Sequence, residues 1–156
     1  MDVTITNRSP VRVVYLRHVG PYGPAVAAFW QQQFTPYVQR HGLAGRPVYG
    51  VSHDDPSQTP PAQCRFDVCT EVDEHFVAIA PGQVTTIPGG RYAVLPFKGT
   101  PQTIQAAWAY LLREWLAASG WRLDARPTFE VYLPGAAVDE DTGAFECQIV
   151  IPLAPL

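Results

Sequence analysis

The strongest constraint on this chain is that it matches itself at an offset near 80, about half of its 156 residues. Val11-Arg12-Val13-Val14-Tyr15-Leu16-Arg17-His18-Val19-Gly20 lies over Arg91-Tyr92-Ala93-Val94-Leu95-Pro96-Phe97-Lys98-Gly99, and each is a strand-like run closing on a basic residue and a Gly. Each leads into a Pro-containing turn, Pro21-Tyr22-Gly23-Pro24 or Thr100-Pro101, and then into a stretch with helical periodicity and aromatic side chains. Counted from Gly20 and Gly99, Phe29 falls opposite Trp108. Gly42 and Gly120 follow the helices, after which Arg46-Pro47-Val48-Tyr49-Gly50-Val51 falls opposite Arg126-Pro127-Thr128-Phe129-Glu130-Val131.

Local signals assign the elements. In the second half Thr100 is placed to cap a helix with Pro101 at its first position, where a missing N–H costs nothing. Ile104, Trp108, Leu111 and Trp115 recur at helical spacing, Ala107, Leu112 and Leu116 widen the stripe, and Gly120 stops it. The first helix, about residues 24–40, carries Val26, Phe29, Trp30, Phe34, Tyr37 and Val38, with a kink or break expected near Thr35 because Pro36 lies inside it. Strands are expected at 3–6, 11–17, 47–51, 65–72, 76–79, 84–87, 92–98, 128–133 and 145–151. Each half then reads strand, helix, strand, strand. One such half has too few strands to bury both sheet faces, so two should pack about a pseudo-two-fold. The expected fold is α+β: a tandem pseudo-two-fold repeat of βαββ modules, with an antiparallel sheet, two main helices and a central ligand cleft. It forms one domain over 1–156, with halves of about 1–80 and 81–156.

Composition narrows the function. The chain is 47% apolar and 16% charged, enough for a packed interior, and its 16 Pro and 12 Gly imply frequent turns. The net charge is −3 and ten of the eleven basic residues are scattered Arg, with Lys98 the only Lys. A phosphate-binding surface needs clustered basic groups, so no direct nucleic-acid contact is expected. The opening residues lack the pattern of a signal peptide and every apolar run is cut short of a membrane span, so a cytoplasmic protein without membrane contact is expected. Cys64, Cys69 and Cys147 are an odd count and read as buried thiols. The Cys64-x4-Cys69 spacing with His75 lacks the second Cys pair of a structural zinc site, so neither metal nor cofactor is expected. His53-Asp54-Asp55-Pro56 reads as a surface turn, and Arg65 with Asp67 as an ion pair on one strand face.

Glu130 breaks the internal match, standing where the first half has Gly50. Alternation in Phe129-Glu130-Val131-Tyr132-Leu133 puts Glu130 and Tyr132 on one face of a strand. Either that face is solvated and Glu130 is an ordinary exposed carboxylate, or it lines the seam between the halves and awaits a cation. The four Trp, seven Tyr and seven Phe are mostly core material, yet Phe29 and Trp108 occupy equivalent positions from which they would face each other across the seam. A carboxylate ringed by π-faces suits lipophilic cations.

Several motifs together resemble the GyrI-like family. They are Arg17-His18-Val19-Gly20-Pro21-Tyr22, Asp54-Asp55-Pro56 with Thr59-Pro60-Pro61, Cys64-Arg65-Phe66-Asp67-Val68, Ile87-Pro88-Gly89-Gly90-Arg91-Tyr92-Ala93-Val94, Trp115-Leu116 and Pro127-Thr128-Phe129-Glu130-Val131-Tyr132-Leu133. That family includes the DNA gyrase inhibitor proteins and the effector-binding domains of AraC- and MerR-type multidrug-sensing regulators. The resemblance implies a ligand cleft between two βαββ modules that binds lipophilic, cationic or planar aromatic molecules, with Glu130 as its central carboxylate and Phe29, Phe97, Trp108, Tyr132 and Phe145 as candidate lining. Only about ten residues precede the matched region, so a stand-alone member without its own helix-turn-helix is expected. The resemblance also implies two alternatives. One is a hydrolase of strained, cyclopropane-bearing electrophiles, with Glu130 catalytic as general base and Trp108 as a stacking wall. The other is a gyrase inhibitor acting by protein–protein contact, with DNA gyrase or a separate regulator as partner. The protein is expected as a monomer or a homodimer.

Overall fold

The structure is a computed structural model that describes residues 2–135, 138–139 and 141–156. Among these residues nine strands form one antiparallel sheet: β1 Thr4–Arg8, β2 Val11–Val19, β3 Val48–Ser52, β4 Arg65–Glu71, β5 Gln83–Ile87, β6 Gly90–Gly99, β7 Trp121–Leu123, β8 Thr128–Tyr132 and β9 Phe145–Pro155. The order β1-β6-β9-β8-β3-β4-β2-β5 is the internal repeat made visible, because the strands on one side of the β3–β8 join mirror those on the other. The edge strands are exchanged: β1 precedes β2 in the chain but pairs with β6, and β5 precedes β6 but pairs with β2. At the centre, Gly50 lies opposite Glu130, so the two positions that the repeat equates are cross-strand neighbours. The sheet curls strongly into a half-barrel, giving an α+β fold with a ligand cleft.

Two helices cover one face. Pro24–Phe29, Trp30–Phe34 and Thr35–Arg40 run on without a break as the first; Ile104–Ala109, Tyr110–Trp115 and Leu116–Ser119 form the second. The break expected near Thr35 is instead a widened π-helical turn, Trp30–Phe34, ending two residues before Pro36. The second helix widens at the equivalent place, Tyr110–Trp115, without any proline, so the widening belongs to the repeat and Pro36 is accommodated by it. That helix begins at Ile104 rather than at Pro101, because Thr100–Thr103 first forms a separate turn in which the Thr103 hydroxyl accepts the Thr100 N–H at 2.9 Å.

Strand alternation sorts the core by face. Val14, Leu16, Phe66 and Val68 pack beneath Phe34, Tyr37 and Val38 of the first helix. Ala93, Leu95, Ile149 and Ile151 pack beneath Ala107 and Leu111 of the second. The opposite face curls over its own cluster, Val13, Tyr49, Val51, Cys69, Tyr92, Phe129, Val131 and Val150. Each fully buried Leu, Val or Phe contributes on the order of 2 kcal/mol relative to exposure; Val13, Phe129 and Val150 on one face and Val14, Leu95 and Leu111 on the other are all almost wholly buried, so both faces hold the fold. Cys64, Cys69 and Cys147 are free and buried.

Residues 76–79 do not form the expected strand. Their carbonyls are drawn to side chains instead: Arg12 donates to Phe76 O at 3.0 Å and the Tyr37 hydroxyl to Ile79 O at 2.7 Å, while Val77 stands 78% exposed. Conversely β7, too short for a periodicity signal, pairs with the end of β9, which runs on to Pro155. Among the described residues no helix is long and apolar enough to cross a membrane.

Candidate functional site

The centre of the sheet positions a carboxylate under the helices. On β8, Phe129 and Val131 are buried in the cluster on the helix-free face, which turns Glu130 and Tyr132 toward the helices. There the indole N–H of Trp108, from the second helix, donates to Glu130 Oε2 at 2.8 Å. The Tyr132 hydroxyl donates to Glu130 Oε1, also at 2.8 Å. Both donors are neutral, and no salt bridge reaches Glu130 among the described residues. Burial pushes its pKa up, against the pull of the Trp108 and Tyr132 hydrogen bonds. The same surroundings raise the Tyr132 hydroxyl, and burial lifts the Cys147 thiol behind it to about 12.

An aromatic shell surrounds the pair. Trp30 of the first helix meets Tyr132 edge-on at 5.0 Å between centroids, Phe145 lies 6.1 Å from Tyr132, and Phe97 lies 5.6 Å from Phe145. The structure thus gathers Glu130, Trp108, Tyr132, Phe145 and Phe97 of the expected residues. Phe29 is placed differently: its ring packs on His18 at 5.5 Å and lines a separate surface pocket of about 260 Å³ with Tyr15, Arg17 and Gln83. The contribution from the first helix is its neighbour Trp30, about 100° further round the helix. A second residue that sequence reading passed over is Phe66, whose ring end lies over Gly50 beside the carboxylate. Its signal was the alternation of Cys64-Arg65-Phe66-Asp67-Val68, which puts Phe66 and Asp67 on opposite faces.

A second charged cluster lies on the helix-free face. Asp67, 3% exposed, accepts from Arg17 Nε and Nη2 at 2.8 and 2.9 Å and bonds His53 Nε2 at 2.6 Å. Burial raises its pKa, but these partners outweigh it and the net shift is downward. Arg65 therefore does not pair with Asp67 as expected. Both oxygens of Asp67 are already taken by Arg17 and His53, and Arg65 takes Asp54 instead, with two bonds at 3.0 Å. The expected surface turn starts only at Asp55, whose carbonyl accepts from Gln58 and Thr59 and whose carboxylate accepts from Ser57, while His53 and Asp54 are drawn to Asp67 and Arg65.

Comparison with known proteins places this geometry in context. The profile of the GyrI-like small molecule binding domain matches residues 1–154. A DNA gyrase inhibitor of Yersinia enterocolitica is 30% identical over 154 residues, covering 96% of this chain and 95% of that protein. Among solved structures, the C-terminal domain of EcmrR superposes with a TM-score of 0.77 at 15% identity, over 99% of this chain and 98% of its own. SAV2435 bound to tetraphenylphosphonium superposes with a TM-score of 0.69 at 16% identity, over 99% and 94%.

Proposed function

Because the chain belongs to the family of GyrI-like small molecule binding domains, we propose that it binds lipophilic cations or planar aromatic molecules at the seam between its halves, with Glu130 as the central carboxylate. One observation carries this reading: Glu130 is held under two helices by two neutral donors, Trp108 and Tyr132, with aromatic rings around it and no bonded cation among the described residues. An ionised carboxylate in such a place is under-compensated, since neutral hydrogen bonds spread its charge without cancelling it. A ligand bringing one positive charge and apolar surface supplies what the site lacks. The tetraphenylphosphonium held by SAV2435, a neighbour in fold, has that chemistry and makes a suitable probe.

Thermal unfolding tests the proposal. Tetraphenylphosphonium at 100 times its dissociation constant should stabilise the wild type by about 2.7 kcal/mol, and Glu130→Gln should remove the shift. No shift across a panel of aromatic cations would sink the reading. Mass spectrometry of ligand recovered unchanged separates binding from hydrolysis by Glu130. A supercoiling assay at micromolar protein tests gyrase inhibition independently of the seam.

A further inference from the structure

We propose that Gly50 and Phe66 set which cations the Glu130 site accepts, making it selective for aryl over alkyl cations of the same charge. This deepens the binding role proposed for Glu130 and rests on it. A Cβ built on Gly50 would lie 2.8 Å from Phe66 Cζ and 3.7 Å from Glu130 Oε1. The ring tip of Phe66 and the carboxylate thus converge over one backbone position, on the axis that relates the halves, and they do so because position 50 has no side chain.

The register explains the approach. Gly50 on β3 pairs with Glu130 on one side and Val68 on the other, while Phe66 is diagonal to it, opposite Ser52. Phe66 is 8% exposed and is braced from behind by Tyr22, whose ring meets it edge-on at 5.8 Å. Tyr22 is in turn tied down by its hydroxyl, which donates to Arg65 O at 2.6 Å. The first half therefore holds the outer edge of a braced aromatic ring over Gly50, the same backbone position that Glu130 Oε1 approaches from the second half. A ring edge carries positive partial charge, which favours the carboxylate and the face of another ring but not a bare cation. A ligand whose charge sits among aryl groups satisfies both partners at once. One whose charge sits among alkyl groups satisfies Glu130 alone.

Titration calorimetry with tetraphenylphosphonium and tetraethylammonium tests this on the full chain. Phe66→Leu should weaken the aryl cation about tenfold and leave the alkyl cation within twofold, an edge-to-face pair being worth roughly that factor. Glu130→Gln should weaken both. Gly50→Ala should weaken the aryl cation at least as much as Phe66→Leu does, and the double variant Gly50→Ala/Phe66→Leu should lose no more than the worse single one, because the two act through one contact. Should Gly50→Ala fail to fold, Phe66→Leu still decides the matter. If Phe66→Leu binds both ligands as the wild type does while Glu130→Gln binds neither, the selectivity proposal is overturned and the role of Glu130 stands. If the wild type binds neither cation, both proposals fall.

Discussion

In the first half of the molecule Asp67 accepts bonds from Arg17 and His53 on the helix-free face of the sheet; in the second, Glu130 accepts bonds from Trp108 and Tyr132 beneath the helices. The halves share a topology yet treat their carboxylates oppositely. The Arg17–Asp67 cross-strand pair has its counterpart in Pro96–Gln148, each one step beyond the buried Leu16–Val68 and Leu95–Ile149 pairs. His53 likewise has its counterpart in Leu133, two residues beyond Val51 and Val131. Where the first half holds the Arg17–Asp67–His53 network, the second holds a surface pocket of about 370 Å³ lined by Pro96, Leu133 and Gln148, with Lys98 and Glu146 also in its wall. Where the second half holds Glu130, the first holds Gly50. Fixed cations neutralise Asp67 within the fold, whereas Glu130 meets only neutral donors among the described residues, and the proposed cation binding rests on that contrast.

The largest expected effect separates the two carboxylates by stability. Asp67→Asn removes the buried member of an ion pair and should cost about 2 kcal/mol, less than the roughly 3–5 kcal/mol of a fully buried pair because Arg17 remains 36% exposed. Glu130→Gln leaves an acceptor for Trp108 and removes a desolvated charge, so it should cost less than about 0.5 kcal/mol at pH 7 or raise stability. Chemical denaturation of both variants checks the ordering, and its reversal would break the comparison. Acid should also tell them apart. The lowered pKa of Asp67 gives stability that is full above the ordinary carboxylate range and disappears as pH falls through its folded value. The raised pKa of Glu130 gives stability that is full at acid pH and disappears as pH rises through its folded value.

The next effect is on binding. A cation selects ionised Glu130, so affinity for tetraphenylphosphonium should climb up to tenfold per pH unit below the raised pKa and level off above it. Tyr132→Phe deletes a donor that lowers this pKa, so the curve should move to higher pH while the plateau affinity changes by about 1 kcal/mol at most. Calorimetry across pH reads both. A curve for Tyr132→Phe displaced to lower pH would contradict the assignment of that hydroxyl as donor.

Much of this was legible in the sequence because it rests on periodicity and self-similarity. The two helices and most strands follow from apolar spacing, alternation puts Glu130 and Tyr132 on one strand face without deciding between water and helices as its cover, and the offset near 80 sets Glu130 over Gly50. What stayed hidden depends on contacts distant in the chain. The exchange of β1 and β5 is invisible to local pattern, since a strand's own residues do not name its neighbour. Residues 76–79 read as a strand because of Phe76, Val77 and Ile79, and only the claims of Arg12 and Tyr37 on their carbonyls reveal otherwise. Trp30 rather than Phe29 reaches Tyr132 because an error of one residue on a helix turns a side chain by about 100°.

The smallest expected effect concerns the ion pairs at the same end of each half. Arg65 opposes Val19 on the β2–β4 ladder as Glu146 opposes Lys98 on the β6–β9 ladder, so the two are counterparts. Arg65 grips Asp54 through two parallel bonds at 3.0 Å, with Asp54 14% exposed and its carboxyl held down at about 2. Lys98 meets Glu146 through one contact at 3.6 Å with both side chains more than 60% exposed, where water screens the attraction and two flexible chains lose entropy to hold it. Lys98→Ala should therefore stay within about 0.5 kcal/mol of wild type. Asp54→Ala should lower the melting temperature more, because it also strips the Arg65 amide of its 2.8 Å acceptor and loosens the segment that carries His53 toward Asp67. Equal melting temperatures for the two variants would show that the first half's charge network ends at Asp67 and does not extend through that segment.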